Sequence, residues 1–237
     1  MKQTDRGLLL RKVNYGESSL VLQLFCFQRG MKSFLYKGAK KKKGQTFIPL
    51  AFLEITYFER NESQLAQITA ADHVMIWSDS LFDPRKTAVL FFICDLLQSC
   101  MKEENIPQED LFLFLSAELV ELDKAPFQAN YPIYFLMVMT RFFGFEPAID
   151  NENPQYFDMH EGVFSNQAPR IFQMEISKTE TQELATSFCS NKDQILAKSY
   201  SRAIRQRFMR ILLDYYSYHI SGFTIPKSLK ILEEVFD

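Results

Sequence analysis

The chain has 237 residues, 47% of them hydrophobic and 24% charged, which is enough apolar material for a core without disulfide or metal support. That balance excludes disordered and collagen-like chains. The net charge of −2 hides an asymmetry: residues 1–80 hold 12 Lys and Arg against 7 Asp and Glu, residues 81–197 hold 8 against 18, and residues 198–237 hold 7 against 4. Basic ends therefore flank an acidic middle.

From residue 7 to about 70, β-formers recur at period two between turn signals. This pattern predicts five strands, at 7–14, 19–27, 31–37, 51–60 and 64–70. Five short strands in so little chain suit a small, partly open barrel of the OB type better than a sandwich. After Pro84 the apolar spacing changes to about 3.6, predicting helices over 84–102, 109–124 and 130–144, then a second helical block over 192–221 and 226–236. Between the two blocks, residues 146–170 hold three prolines and five acidic residues and read as an irregular insert. The expected fold class is α+β, with an OB barrel in 1–80 and a helical domain in 81–237 carrying the insert at about 146–176.

Cys26, Cys94, Cys100 and Cys189 form no CxxC pair, so neither a disulfide framework nor a zinc ribbon is expected. Only three consecutive leucines precede Arg11, too few for the apolar region of a signal peptide. The longest apolar runs, 88–97 and 131–140, are interrupted by Asp95 and followed at once by Arg141, so no membrane span is predicted. Together these features predict a cytoplasmic protein.

No catalytic constellation emerges. The segment KGAKKKKG spaces Gly38 and Gly44 one residue too far apart for a P-loop, and Gln45 stands where Lys-Ser or Lys-Thr is required. His160-Glu161 opens an HExxH pattern, but Phe164 replaces the second histidine. No enzyme, metal or cofactor is expected.

Two basic clusters remain. Lys37, Lys40, Lys41, Lys42 and Lys43 lie between predicted strands and form either a solvated tip or a phosphate-contacting loop. Arg11, Arg29 and Lys32 extend the candidate DNA-binding set. Phe34, Tyr36, Phe47 and Phe58 are near enough in sequence to be stacking candidates, although aromatics in short strands more often build the core. Arg202, Arg205, Arg207 and Arg210 flank a helical stripe of Ile204, Phe208, Ile211, Leu212 and Tyr215. They either snorkel toward the acidic middle or bind an anion or a partner's chain-terminal carboxylate.

Tyr15-Gly16-Glu17-Ser18, Leu24-Phe25, Gly30 and Lys37-Gly38-Ala39, followed by Gly144-Phe145-Glu146-Pro147 and by Leu212, Tyr216, His219, Lys227-Ser228-Leu229 and Leu232, resemble the bacterial RecO family across nearly the whole chain. The resemblance implies an OB barrel, a helical domain and a small zinc module at the insert. Many members place CxxC pairs there, whereas this chain has no cysteine between Cys100 and Cys189. By resemblance the function is that of a recombination mediator in DNA repair, working at the nucleoid. Such a protein binds single- and double-stranded DNA, anneals strands coated by single-strand-binding protein and, with RecR and in some settings RecF, helps load RecA. The barrel loop would hold phosphates, and the helical domain would receive the acidic, hydrophobic tail of the single-strand-binding protein. The competing reading is a protein adaptor with weak or indirect DNA binding, which the acidic middle favours.

Overall fold

The computed structural model describes residues 2–41, 47–59, 65–75, 77–102, 104 and 106–235. Five strands, β1 (Lys2–Tyr15), β2 (Ser19–Cys26), β3 (Gly30–Tyr36), β4 (Phe52–Phe58) and β5 (Ala66–Met75), close into a barrel of order β1-β2-β3-β5-β4. Every neighbouring pair is antiparallel except β3 and β5, and this is the OB-type arrangement. Alternation sends Leu20, Leu22 and Leu24 of β2, Phe34 and Tyr36 of β3, Leu53, Ile55 and Tyr57 of β4, and Ala66 and Ile68 of β5 into one core. Phe34, with no exposed surface, stabilises that core by about 1.5–3 kcal/mol relative to an exposed ring.

The barrel also contains one backbone constraint and one glycine requirement. Leu50 has φ +57, an uncommon conformation for a side-chain-bearing residue. Its N–H donates to Leu9 O at 2.7 Å, and its carbonyl accepts from Trp77 Nε1 at 2.9 Å. Gly30 has φ +61, and a Cβ there would stand 2.1 Å from Ile106 O, so the β2–β3 turn admits no side chain at this position.

Helices α1 (Pro84–Cys100), α2 (Glu109–Lys124) and α3 (Tyr131–Phe142) follow. Asp83 caps α1 by accepting from Arg85 N. Next come three short strands, β6 (Ala148–Ile149), β7 (Tyr156–Asp158) and β8 (Val163–Ser165), in the order β6-β8-β7, so the expected irregular insert contains a small sheet. Helices α4 (Lys178–Phe188), α5 (Lys192–Leu196), α6 (Arg202–His219) and α7 (Leu229–Val235) complete the chain. The block expected over 192–221 is thus two helices separated by a turn. Among the described residues, no helix is long and apolar enough to cross a membrane.

Packing divides the chain into Met1–Pro126 with Pro226–Leu232, and Phe127–Ile225 with Glu233–Asp237. The change of period near residue 80 marks a change of secondary structure, whereas helices α1 and α2 belong to the compact unit that contains the barrel. Aromatic contacts of Phe112 with Phe25, Phe27 and Phe52, at centroid distances of 5.7, 5.5 and 5.8 Å, account for part of that attachment. Ser228 donates to Asp95 through both its N–H and its hydroxyl, at 3.0 and 2.8 Å, which ties the start of α7 to the same unit.

Candidate nucleic-acid interface

The barrel interface is built from a hairpin and the turn beside it. β1 and β2 pair from Gly7–Cys26 to Tyr15–Ser19, with a register shift between Leu9 and Arg11. Beyond that bulge the hairpin is exposed from Arg11 to Glu17. The short 3₁₀ turn Ala39–Lys41 lies against its tip: Lys40 N donates to Ser18 O at 3.1 Å, and Lys40 Nζ to Gly16 O at 3.2 Å. Arg11, Lys37 and Lys40 are exposed around this end. Lys12, absent from the sequence-derived set, also belongs here, donating to Phe47 O at 2.7 Å. Lys41 closes the turn, while Lys42 and Lys43 lie outside the described residues.

Two of the expected basic contacts are elsewhere. Lys32 shares its strand face with Phe34 and Tyr36, so the pleat directs it inward. There its ammonium pairs with Glu59 at 2.7 Å, with both side chains at most 10% exposed. Arg29 stands in the β2–β3 turn, at the other end of the β2 strand from the hairpin tip, and donates to Gln3 Oε1 at 2.9 Å. Beside it Asp5 is buried, accepting from Arg6 N at 2.8 Å and Gln28 N at 3.2 Å. Burial pushes the Asp5 carboxyl above its ordinary range, against those backbone bonds. Lys32 and Arg29 therefore organise a closed polar end of the barrel, and neither joins the loop lysines. Phe34, Tyr36 and Phe47 are core, with Phe34 edge-on to Tyr57 at 5.0 Å and Tyr36 edge-on to Phe47 at 6.2 Å; Phe58 is half-buried.

The arginine helix is built differently. Ser201 caps α6 by accepting from Ile204 N, and Phe208, Met209, Ile211, Leu212, Leu213, Tyr215 and Tyr216 form its buried stripe. Arg202 donates to Glu233 O at 3.0 Å, and Arg205 to Tyr200 O. Arg207 pairs with Glu180 at 2.8 Å and donates to Glu175 O. Glu180 is also the acceptor of the capping box that Ser177 forms at the start of α4. Burial raises the Glu180 pKa, but Arg207 and Ser177 outweigh it and hold the carboxyl below its usual value. The structure thus gives three of these four arginines partners within the fold. Arg202, Arg205 and Arg207 each fasten backbone or side chain within the fold, and Arg202 and Arg210 are the exposed members.

Between α4 and the start of α6 lies a cavity of about 850 Å³, with Ala203, Ile204 and Phe208 on its apolar wall and Glu180, Lys198 and Arg207 among its polar lining. Ile204 is 41% exposed. Glu183 accepts from Lys198 and from Tyr200 Oη. Burial works against ionisation of Glu183, and these donors still hold it below its usual pKa. Burial, then the Glu183 bond, raises the Tyr200 phenol. Sequence reading missed this network and helix α4, although Ser177-x-x-Glu180 and Asn191-x-x-Gln194 both carry the capping-box spacing.

The insert does not fit zinc. It offers no cysteine, and among the described residues no three His, Cys, Asp or Glu converge. Aromatic packing organises it: Phe157 stacks on Phe164 at 4.1 Å, with Tyr215 5.0 Å from Phe157. Phe164, at the place of the missing HExxH histidine, is part of this core.

The family model described as Recombination protein O N terminal matches residues 1–77, and that described as Recombination protein O C terminal matches residues 81–229. The chain is 30% identical over 241 residues to the DNA repair protein RecO of Flavobacterium psychrophilum, covering all of both chains. It is 29% identical over 243 residues to that of Bacteroides fragilis, again at full coverage. It is 21% identical over 242 residues to that of Salinibacter ruber, covering 97% of this chain and 93% of the relative.

Proposed function

Because the chain belongs to the RecO family of non-enzymatic recombination mediators in DNA repair, we propose that it binds single- and double-stranded DNA through the hairpin end of its barrel. In this reading it anneals strands coated by single-strand-binding protein and, with RecR and in some settings RecF, assists RecA loading at the nucleoid. The observation that carries the reading is the exposure of Arg11 along the β1–β2 hairpin, of Lys37 at the end of β3 and of Lys40 against the hairpin tip. In OB barrels the face of strands 2 and 3 and the adjoining loops hold oligonucleotides, and here the cations border that face. Phosphate contacts supply sequence-independent affinity, which suits a protein that must act wherever DNA is damaged.

Filter binding of oligo-dT and of a duplex at two salt concentrations tests it. Binding that weakens as salt rises supports direct phosphate contact. Failure to retain either substrate at low salt overturns it and leaves the adaptor reading, which the excess of 18 Asp and Glu over 8 Lys and Arg in residues 81–197 favours. The α4–α6 cavity would take the acidic, hydrophobic tail of the single-strand-binding protein, with Ile204 and Phe208 beneath its apolar side chains and Lys198, Arg207 and Arg210 near its carboxylates. A labelled tail peptide should bind in an anisotropy titration and be lost with Ile204→Glu; retention of full affinity in that variant places the tail elsewhere.

A further inference from the structure

The outward face of the barrel offers more than charge. Arg11, Val13 and Tyr15 pair with Gln23, Val21 and Ser19, and Gln23 and Val21 pair in turn with Ser33 and Leu35. Since Leu22, Leu24, Phe34 and Tyr36 face the core, the alternate residues form rows on the opposite face. Leu20 pairs with Tyr36, which sets Lys37 abreast of Ser19 and so in line with Tyr15. Two strand spacings, roughly 10 Å, separate the Tyr15 and Lys37 backbones, within the joint reach of their side chains.

Along this face Val13 is 44% and Tyr15 58% exposed. Phe34, Tyr36, Phe47 and Tyr57 all sit inside the barrel, so among them and Tyr15 only Tyr15 offers its ring to solvent beside the lysine turn. Its carrier is already shaped: Gly16 adopts φ +61, and both the backbone and the ammonium of Lys40 bond to the tip. A platform held this way loses little conformational freedom on binding. Glu17, exposed on the same turn, repels phosphate at the tip itself, leaving the ring as the attractive element there.

We propose that Tyr15 is a base-stacking platform that makes this interface prefer single strands, its exposed ring taking the face of an unpaired base while Arg11, Lys37 and Lys40 hold the flanking phosphates. Every base has a π face, so stacking adds affinity without reading sequence. In a duplex those faces are occupied by neighbouring bases, and the ring finds no partner. The inference rests on the DNA-binding reading above and adds to it the source of discrimination between strand forms.

The test compares Tyr15→Ala, Tyr15→Phe and the unaltered chain on oligo-dT and on a duplex with the same number of phosphates, each over a salt series. Tyr15→Ala should weaken oligo-dT binding by about 5- to 100-fold, leave duplex binding and the salt slope unchanged, and be rescued by Tyr15→Phe. In the unaltered chain, an oligonucleotide carrying 5-iododeoxyuridine should photocrosslink at Tyr15, a readout independent of variant folding. Equal losses on both substrates, no loss in Tyr15→Ala, or crosslinks that avoid Tyr15 overturn the proposal while DNA binding stands. An unaltered chain that binds no oligo-dT overturns both.

Discussion

The two basic clusters look alike in sequence and differ in what their charges do. At the hairpin end, Lys37 just past β3 and Arg11 within β1 are exposed to solvent, and Lys40 spends one bond on a turn carbonyl. On α6, three of four arginines hold a carbonyl or a carboxylate of the same compact unit. A helix places side chains every 100° around its axis, so a run of arginines inevitably meets the neighbours that bury the apolar stripe. A loop imposes no such encounter, and like charges spread into water. Cation density therefore points to a surface for phosphate where the cations are exposed on a turn rather than packed along a helix flank.

The sharpest way to break this contrast is a lysine that sequence reading grouped with the first cluster and the fold treats like the second. Lys32→Ala would leave Glu59 buried without its partner, and a loss of about 3 kcal/mol or more is expected in chemical denaturation. A variant as stable as the parent would return Lys32 to the surface set. Next in size is the effect on binding. Replacing Lys37, Lys40, Lys41, Lys42 and Lys43 by Gln should flatten the plot of log K against log salt for oligo-dT by roughly 2–3 units, at about 0.7 per phosphate released. The melting temperature should barely move. An unchanged slope would assign the loop to solvent and shift phosphate binding to other cations.

Arg207→Ala should reverse that signature, costing about 1 kcal/mol of stability with little change in the salt slope for DNA. A pure binding loss at parental stability would make α6 the phosphate surface after all. The smallest effect is a pH dependence. Glu180 and Glu183 are held below their ordinary pKa, so the folded chain binds their protons less readily than the unfolded chain does. Their contribution is fully present above the unfolded value near 4.5 and fades as pH falls through the lower folded values. Denaturation curves from pH 6 to 3 should show part of the acid destabilisation removed in Glu180→Gln, and identical pH profiles would count against the Arg207–Glu180 pairing.

Much of the architecture was legible from local pattern. The OB-type barrel, the onset of helix at Pro84 and the extent of α2 at Glu109–Lys124 follow from the period of apolar residues and from proline placement, both local properties. The small sheet in the insert escaped because strands of two or three residues are too short to show a period. Helix α4 escaped because its 11 residues carry only Leu184, Ala185 and Phe188 as apolar positions, too few to show a period, although its capping box was there to be read. Tyr15 escaped because strand parity alone gives it the inward face of Leu9, and only the bulge between Leu9 and Arg11 turns it outward.

The sequence by itself determined the five barrel strands, most of the helices after Pro84 and the two concentrations of positive charge, since periodicity and composition need no knowledge of neighbours. Tertiary structure alone decided which charges are available. Lys32 lies inward because the pleat of β3 gives it the face of Phe34 and Tyr36, and Glu59 arrives to pair with it from residues far along the chain. Arg207 is held by Glu180 across 27 residues. Such partnerships depend on chain segments meeting in space, and burial then makes each costly to break, a consequence that no local pattern encodes.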